Sequence, residues 1–167
     1  MALRRVADDA RLAPVDMDGV PGEWIIPEGA PPEPLPGAAA VLSPWVDLTL
    51  SGASIEHNHR YDYVLRHALR RYAGHYARST ARTHPLLSPV HGRLHDLPPL
   101  LIVAGEAETL IDDARLLHAR AIDAGVEATL SVYAGMIHAF MIMRIPPARA
   151  AIAEIAAHLR KHTEQSD

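Results

Sequence analysis

The sequence predicts an α/β domain built on parallel strands, and three observations carry that expectation. PLLIVAG (99–105) is a continuous apolar run, the pattern of a strand buried on both faces of a parallel sheet. From Ala38 onward the patterns alternate: strand, helical insertion, strand, helix, strand, helix. Such alternation is the mark of a parallel sheet with right-handed crossovers. Finally, 167 residues, 49% of them hydrophobic and with charges of both signs interspersed, suffice for one domain with a real core.

Taken in order, residues 2–12 read as a short helix, and GVPGEWIIPEG (19–29) as a short strand bounded by glycine and proline. APPEPLPG (30–37) is extended, because each proline restricts itself and the residue before it. AAAVLSPWVDL (38–48) gives a buried strand that enters a loop at Pro44. Between Asp62 and Ser79, Leu65, Leu69, Tyr72 and Tyr76 fall at helical spacing, with Arg66, Arg70 and Arg71 on other faces. That is an amphipathic helix whose aromatic stripe is expected in the core. THPLLSPVHGRLHDLPP (83–99) is a proline-punctuated loop before the PLLIVAG strand. Thr109 with Asp112 resembles a capping box opening the next helix, which Gly125 closes. ATLSVYAG (128–135) is the following strand. Proline opens the last helix, PPARAAIAEIAAHLRKH (146–162), and Ile152, Ile155, Ala156 and Leu159 form its apolar line.

Composition excludes several functions. The net charge is −4 and the basic residues are scattered, so no electrostatic footprint points to nucleic acid. No cysteine is present, which removes disulfides, thiolate metal sites and a cysteine nucleophile together. The opening MALRRVADDARLA lacks the apolar stretch of a secretory signal, and no run approaches the ~18 apolar residues of a membrane span. The expected protein is soluble and cytoplasmic.

In open α/β sheets chemistry sits at the carboxyl ends of the strands. Two residues lie just past such ends: Glu108 after LLIVAG and His138 after LSVYAG. Neighbouring strands are about 4.8 Å apart, so their exit loops can meet, and a carboxylate against an imidazole fixes its tautomer and raises its basicity. The competing reading makes Glu108 a helix-start residue and His138 a satisfied loop histidine. Trp45 and Asp47 are expected to pack. His57 and His59 with Glu56 form a weaker metal candidate, as alternating histidines in a polar loop are usually solvated. His91 and His95 share helix-like spacing beside glycine and prolines, so a common face is not expected. Arg66, Arg70, Arg71 and Arg78 read as the wet face of their helix.

AAAVLSPWVDLTLSG, the YDYVL segment, HPLLSPVHG, LPPLLIVAGEAETLIDDARLLHARAIDAGVEATLSVYAGMIHAF and the closing alanine-rich helix together resemble the C-terminal half of the α/β-hydrolase fold-3 family, the hormone-sensitive-lipase-like esterases and lipases. GVPGEWIIPEGA (19–30) is similar to that family's first strands. The resemblance spans about 38–160 and implies a partial α/β-hydrolase fold with a helical insertion after the LSPW strand; the aromatic stripe of the insertion's helix, if not core, would in the intact family be part of the cap over the acyl pocket. It divides the chain, as one truncated domain over 1–167, into an N-terminal segment and linker (1–37) and a hydrolase portion (38–162). It further implies Glu108 as the catalytic acid, ahead of Leu110 and Asp112–Asp113, and His138 as the base of a G-x-x-H-x-F stretch, Gly135 to Phe140. No cofactor or metal is implied, and the substrate of intact relatives is a small-molecule ester.

The departure is as informative. The family's His-Gly-Gly-Gly oxyanion loop and G-x-S-x-G nucleophile elbow have no counterpart here: only PPEPLPG stands in their place, and none of the serines lies between such glycines. No nucleophile is assigned. Losing one costs a serine hydrolase on the order of 10⁶ in turnover, so robust esterase activity from this chain alone is not expected. The alternatives are an inactive remnant or interaction module, or one fragment of a split hydrolase. The seven residues Pro31–Gly37 span at most about 25 Å, barely the ~24 Å between the family's first strand and its LSPW strand. AAAVL is therefore expected to be an apolar edge, covered by the GEWII segment or by another chain, the same one or a different one.

Overall fold

The structure, a computed structural model, describes residues 10–17, 20–27 and 37–163. The chain divides into two compact units, Met1–Leu35 and Pro36–Asp167.

In the first unit, β1 (Ala10–Met17) pairs antiparallel with β2 (Val20–Pro27), in register from Ala10 opposite Pro27 to Met17 opposite Val20. The strand expected from GEWII is therefore present. Of the helix expected over 2–12, residues 10–12 instead belong to β1, and residues 2–9 lie outside the described residues. The overlooked signal is Asp18-Gly19 between two apolar-containing runs, the dipeptide that favours a two-residue hairpin connection. Within its unit the GEWII segment pairs with β1, its neighbour in sequence. Closing a loop this short costs far less entropy than bringing together segments remote in sequence. The linker over 30–36 lies outside the described residues.

The second unit is built on a parallel sheet ordered β3–β4–β5, from β3 (Ala39–Leu42), β4 (Leu100–Gly105) and β5 (Ala128–Tyr133). Central β4 is buried along its whole length, as its unbroken apolar run requires. Its side chains alternate between two cores. Leu100, Ile102 and Ala104 pack under α3 (Ile111–Asp123), while Leu101 and Val103 pack with Phe140, Met141 and α4 (Pro146–Thr163). Helices cover both faces, the parallel α/β layering predicted from the alternation.

Several local expectations change. β3, read from its own pattern as buried and from the short linker as an apolar edge, is only partly buried, with Leu42 45% exposed: as the outer strand of its sheet it bonds to β4 alone among the described residues. The insertion contains a short α1 (Ser54–His57) and α2 (Arg66–Ala77). On α2 the buried stripe is Leu69, Ala73 and Ala77; Leu65 precedes the helix, and Tyr72 and Tyr76 are more than half exposed. These tyrosines border an open groove with Trp45, Leu48 and Leu86. Small residues let the helix approach its neighbours closely, and the tyrosines keep their hydroxyls wet. The expected cap of α3 does not form: Leu110 stands at the N-cap, the Thr109 hydroxyl donates to the Val64 carbonyl, and Asp112 N–H donates to the Ser54 hydroxyl. Gly125, at φ +78°, does follow the end of α3 in the left-handed conformation that glycine tolerates. On α4, Ala148 and Ala151 turn inward and Ile152 is exposed.

Candidate active site

The site lies at the carboxyl end of the three-stranded sheet, where the loops leaving β4 and β5 are laced together. Glu106 N–H donates to the Tyr133 carbonyl, Ala107 N–H to the Met136 carbonyl, and Gly135 N–H to the Glu106 carboxylate, at 2.9, 2.9 and 3.0 Å. The approach is so close that a Cβ on Gly105 would stand 2.2 Å from the Met136 oxygen. Glycine at 105 is thus what allows the histidine loop to cross the acid loop.

Glu108 is completely buried. Its Oε2 accepts from the Ser43 hydroxyl at 2.7 Å and from Gly105 N–H at 2.9 Å, while Oε1 is buried with no partner. Burial pushes its carboxyl up to about 7; the two donated bonds oppose this, and the Asp62 and Asp113 carboxylates add to it.

His138 is half-buried, and its Nδ1 is enclosed and unpartnered. Burial lowers its pKa from 6.5, and the negative charge of Asp62 works the other way. The two predicted residues are thus placed at one sheet end but are not hydrogen-bonded to each other. Ser43 connects them. Its Oγ donates to Glu108 and accepts from Ala139 N–H at 2.9 Å, the residue after His138. Ser43 follows β3 at φ +45°, before Pro44, and its buried, doubly engaged hydroxyl is a strut between the two loops.

Sequence reasoning passed over a second set. Ser54, Asn58 and Asp62 recur every four residues, and all three grip the acid loop. The Ser54 hydroxyl donates to the Thr109 carbonyl at 2.8 Å, Asn58 Nδ2 to the Glu108 carbonyl at 3.0 Å, and Thr109 N–H donates to Asp62 Oδ2 at 2.7 Å. That period of small polar residues was legible in SGASIEHNHRYDY. Tyr63 then lays its ring edge-on to the His138 imidazole, with centroids 5.8 Å apart.

The weaker candidates have other partners. Asp47 is buried and accepts from Thr49, Ser51 and His91; although burial opposes it, these bonds hold its carboxyl down at about 2. Trp45 Nε1 donates to the Asp47 carbonyl. Both residues serve the loop after β3. Glu56 is held by Arg66 and Arg70. His91 faces Asp47 and His95 faces Asp96, so the two histidines serve different carboxylates.

The sequence profile of the α/β-hydrolase fold family matches residues 24–142. The chain belongs to this family. An acetyl-hydrolase of Streptomyces hygroscopicus is 43% identical over 133 residues, which make up 78% of this chain and 44% of that protein. An esterase of Acinetobacter venetianus is 33% identical over 129 residues, 75% of this chain and 43% of its own length. Among solved structures, an esterase from the bacterial hormone-sensitive lipase family superposes with a TM-score of 0.74 at 40% identity, covering 78% of this α/β-hydrolase chain and 45% of that one. The chain spans less than half the length of the curated relatives it matches. No helix among the described residues is long and apolar enough to cross a membrane.

Proposed function

We propose that this chain carries the acid and base of a carboxylic-ester hydrolase, with His138 as general base and Glu108 as its orienting acid. The observation that carries the reading is the pairing of unmet needs. Glu108 Oε1 and His138 Nδ1 are both buried without partners in loops bonded to each other at one sheet end. Buried polar atoms are normally satisfied, and a cost left standing in a fold marks a group kept for chemistry. The names of the relatives, acetyl-hydrolase and esterase, agree in reaction class. In the reaction, His138 would take the proton of a hydroxyl attacking a short acyl ester and return it to the leaving alcohol, while Glu108 supports the imidazolium. The attacking serine has no counterpart between glycines in this sequence. Acting on water alone, such a base contributes roughly 10²–10⁴.

The test is hydrolysis of p-nitrophenyl butyrate by the purified protein beside His138→Ala. A slow release of nitrophenol that His138→Ala abolishes is the expected result. Equal rates at buffer level in both proteins, or turnover indifferent to the substitution, would end the reading.

The outer edge of β3 supports a second reading, in which a chain bearing the nucleophile strand pairs there in parallel. Ala39 N–H and Ser43 N–H point to β4, so by strand alternation the N–H of Ala40 points the other way. Ala40→Pro would therefore block a strand partner while sparing the β4 ladder. Association seen by light scattering and unaffected by that substitution would reject an edge-paired complex.

A further inference from the structure

We propose that Asp62 is a second carboxylate positioning His138, so that the base is served by one acid from the β4 loop and another from the helical insertion. This rests on the reading of His138 as the base and adds a residue to it.

The argument starts from what is left unsatisfied. Among the described residues three buried side-chain atoms lack a hydrogen-bond partner: Asp62 Oδ1, Glu108 Oε1 and His138 Nδ1. Two are carboxylate acceptors, and the third is a ring nitrogen that donates when protonated. All three residues converge on one place. Asp62 is 5% exposed and anchored by Oδ2 to Thr109 N–H, the residue adjoining Glu108, so its free oxygen is held by the acid loop itself. Its neighbour Tyr63 contacts the His138 ring at 77° to its plane. The Asn58 and Ser54 bonds fix the same insertion to the same loop, leaving Asp62 little freedom to turn to solvent.

The two carboxylates then differ in role. Glu108, sealed from water and beside Asp62, has its proton held to about 7. Burial lowers the proton affinity of the imidazole, and the nearby Asp62 carboxylate works against that. The groups facing the site are Asp62 and Tyr63 from the insertion and Glu108 from the β4 loop, with Asp113 of α3 acting on Glu108 from behind. Two acids brought to the base from different elements can divide the work: one holds the resting imidazole, the other takes up charge when the imidazolium forms.

The experiment is an NMR titration of the His138 imidazole in the full-length protein labelled at histidine, with the resonance assigned by His138→Gln. Asp62→Asn keeps an oxygen for Thr109 N–H and removes the charge; it is expected to lower the protonation midpoint of His138 by about one pH unit, a tenfold weaker proton affinity. Asp62→Ser, which also keeps an acceptor, gives the same reading if the asparagine variant fails to fold. An unchanged midpoint in the folded Asp62 variant overturns the proposal, whatever Glu108 does. Glu108→Gln separates the two readings. A change of midpoint or Nδ1 tautomer there, with none on Asp62 substitution, leaves the Glu108–His138 pair standing without Asp62. A change on Asp62 substitution alone supports Asp62 and removes Glu108 as the orienting acid, and no change in either variant refutes both.

Discussion

Replacing Glu108 by Gln should make the protein more stable in alkaline solution while disabling its site. A glutamine keeps the shape and an oxygen for the Ser43 and Gly105 donors, and it abolishes the charge. The native carboxyl holds its proton up to about 7, against an ordinary value of 4.5. The sign follows from linkage. A native pKa above the unfolded one means the folded state binds the proton more tightly, so its contribution is whole below about pH 4.5 and is lost as pH rises through about 7. At about 1.4 kcal/mol per pH unit, that interval sets a ceiling of about 3 kcal/mol, undiscounted for solvent because the side chain is fully buried. Urea unfolding of wild type and Glu108→Gln at pH 5 and pH 8 measures it. The two should have similar stability at pH 5, and at pH 8 the variant should be more stable by up to about 3 kcal/mol. Parallel loss in both proteins between those pH values would show that Glu108 is ionised in the folded state without penalty, and the account of its unmet oxygen would fall.

Other consequences are more local. Gly105→Ala drives a methyl into the Met136 carbonyl and should cost several kcal/mol or displace the histidine loop, seen as a fall in Tm of well over 5 °C with altered His138 resonances. Ser43→Ala strips Glu108 Oε2 of one donor and Ala139 N–H of its acceptor; a loss of about 2–3 kcal/mol and faster amide exchange at Ala139 are expected, and an unchanged exchange rate would deny the strut. Asp113→Ala leaves the buried N–H groups of Val46 and Asp47 without an acceptor, at about 2–4 kcal/mol in urea unfolding. Asp113→Asn, by contrast, should mainly flatten the dependence on pH: burial holds the native carboxyl at about 6 against 3.8, so its contribution fades as pH rises between those values.

The layered architecture could be read directly because it rests on patterns that one segment carries alone. An unbroken LLIVAG run can only be a strand covered on both faces, and an alternation of strand and helix patterns has few parallel solutions. Glu108 and His138 could be placed at the carboxyl end of the sheet for the same reason: each stands just past a strand of its own. Where the reading failed, the deciding partner was elsewhere. Tyr72 and Tyr76 have the spacing of a buried stripe, yet α2 approaches its neighbours through Leu69, Ala73 and Ala77, and no helix-local rule distinguishes the two faces. Thr109 and Asp112 have the spacing of a capping box, but their polar groups are bonded to Val64 and Ser54 of the insertion.

By itself, then, the sequence determined the sheet, the family and the placing of Glu108 and His138 in the loops after β4 and β5, since hydrophobic period and motif spacing are local properties. Only the tertiary structure decided that Ser43 braces those loops, that the insertion ties Asp62 to Thr109 and sets Tyr63 against His138, and that burial pushes the Glu108 carboxyl up. These depend on which distant groups exclude water from one another. Electrostatic environment is a property of that assembled surrounding, and a linear chain does not record it until it folds.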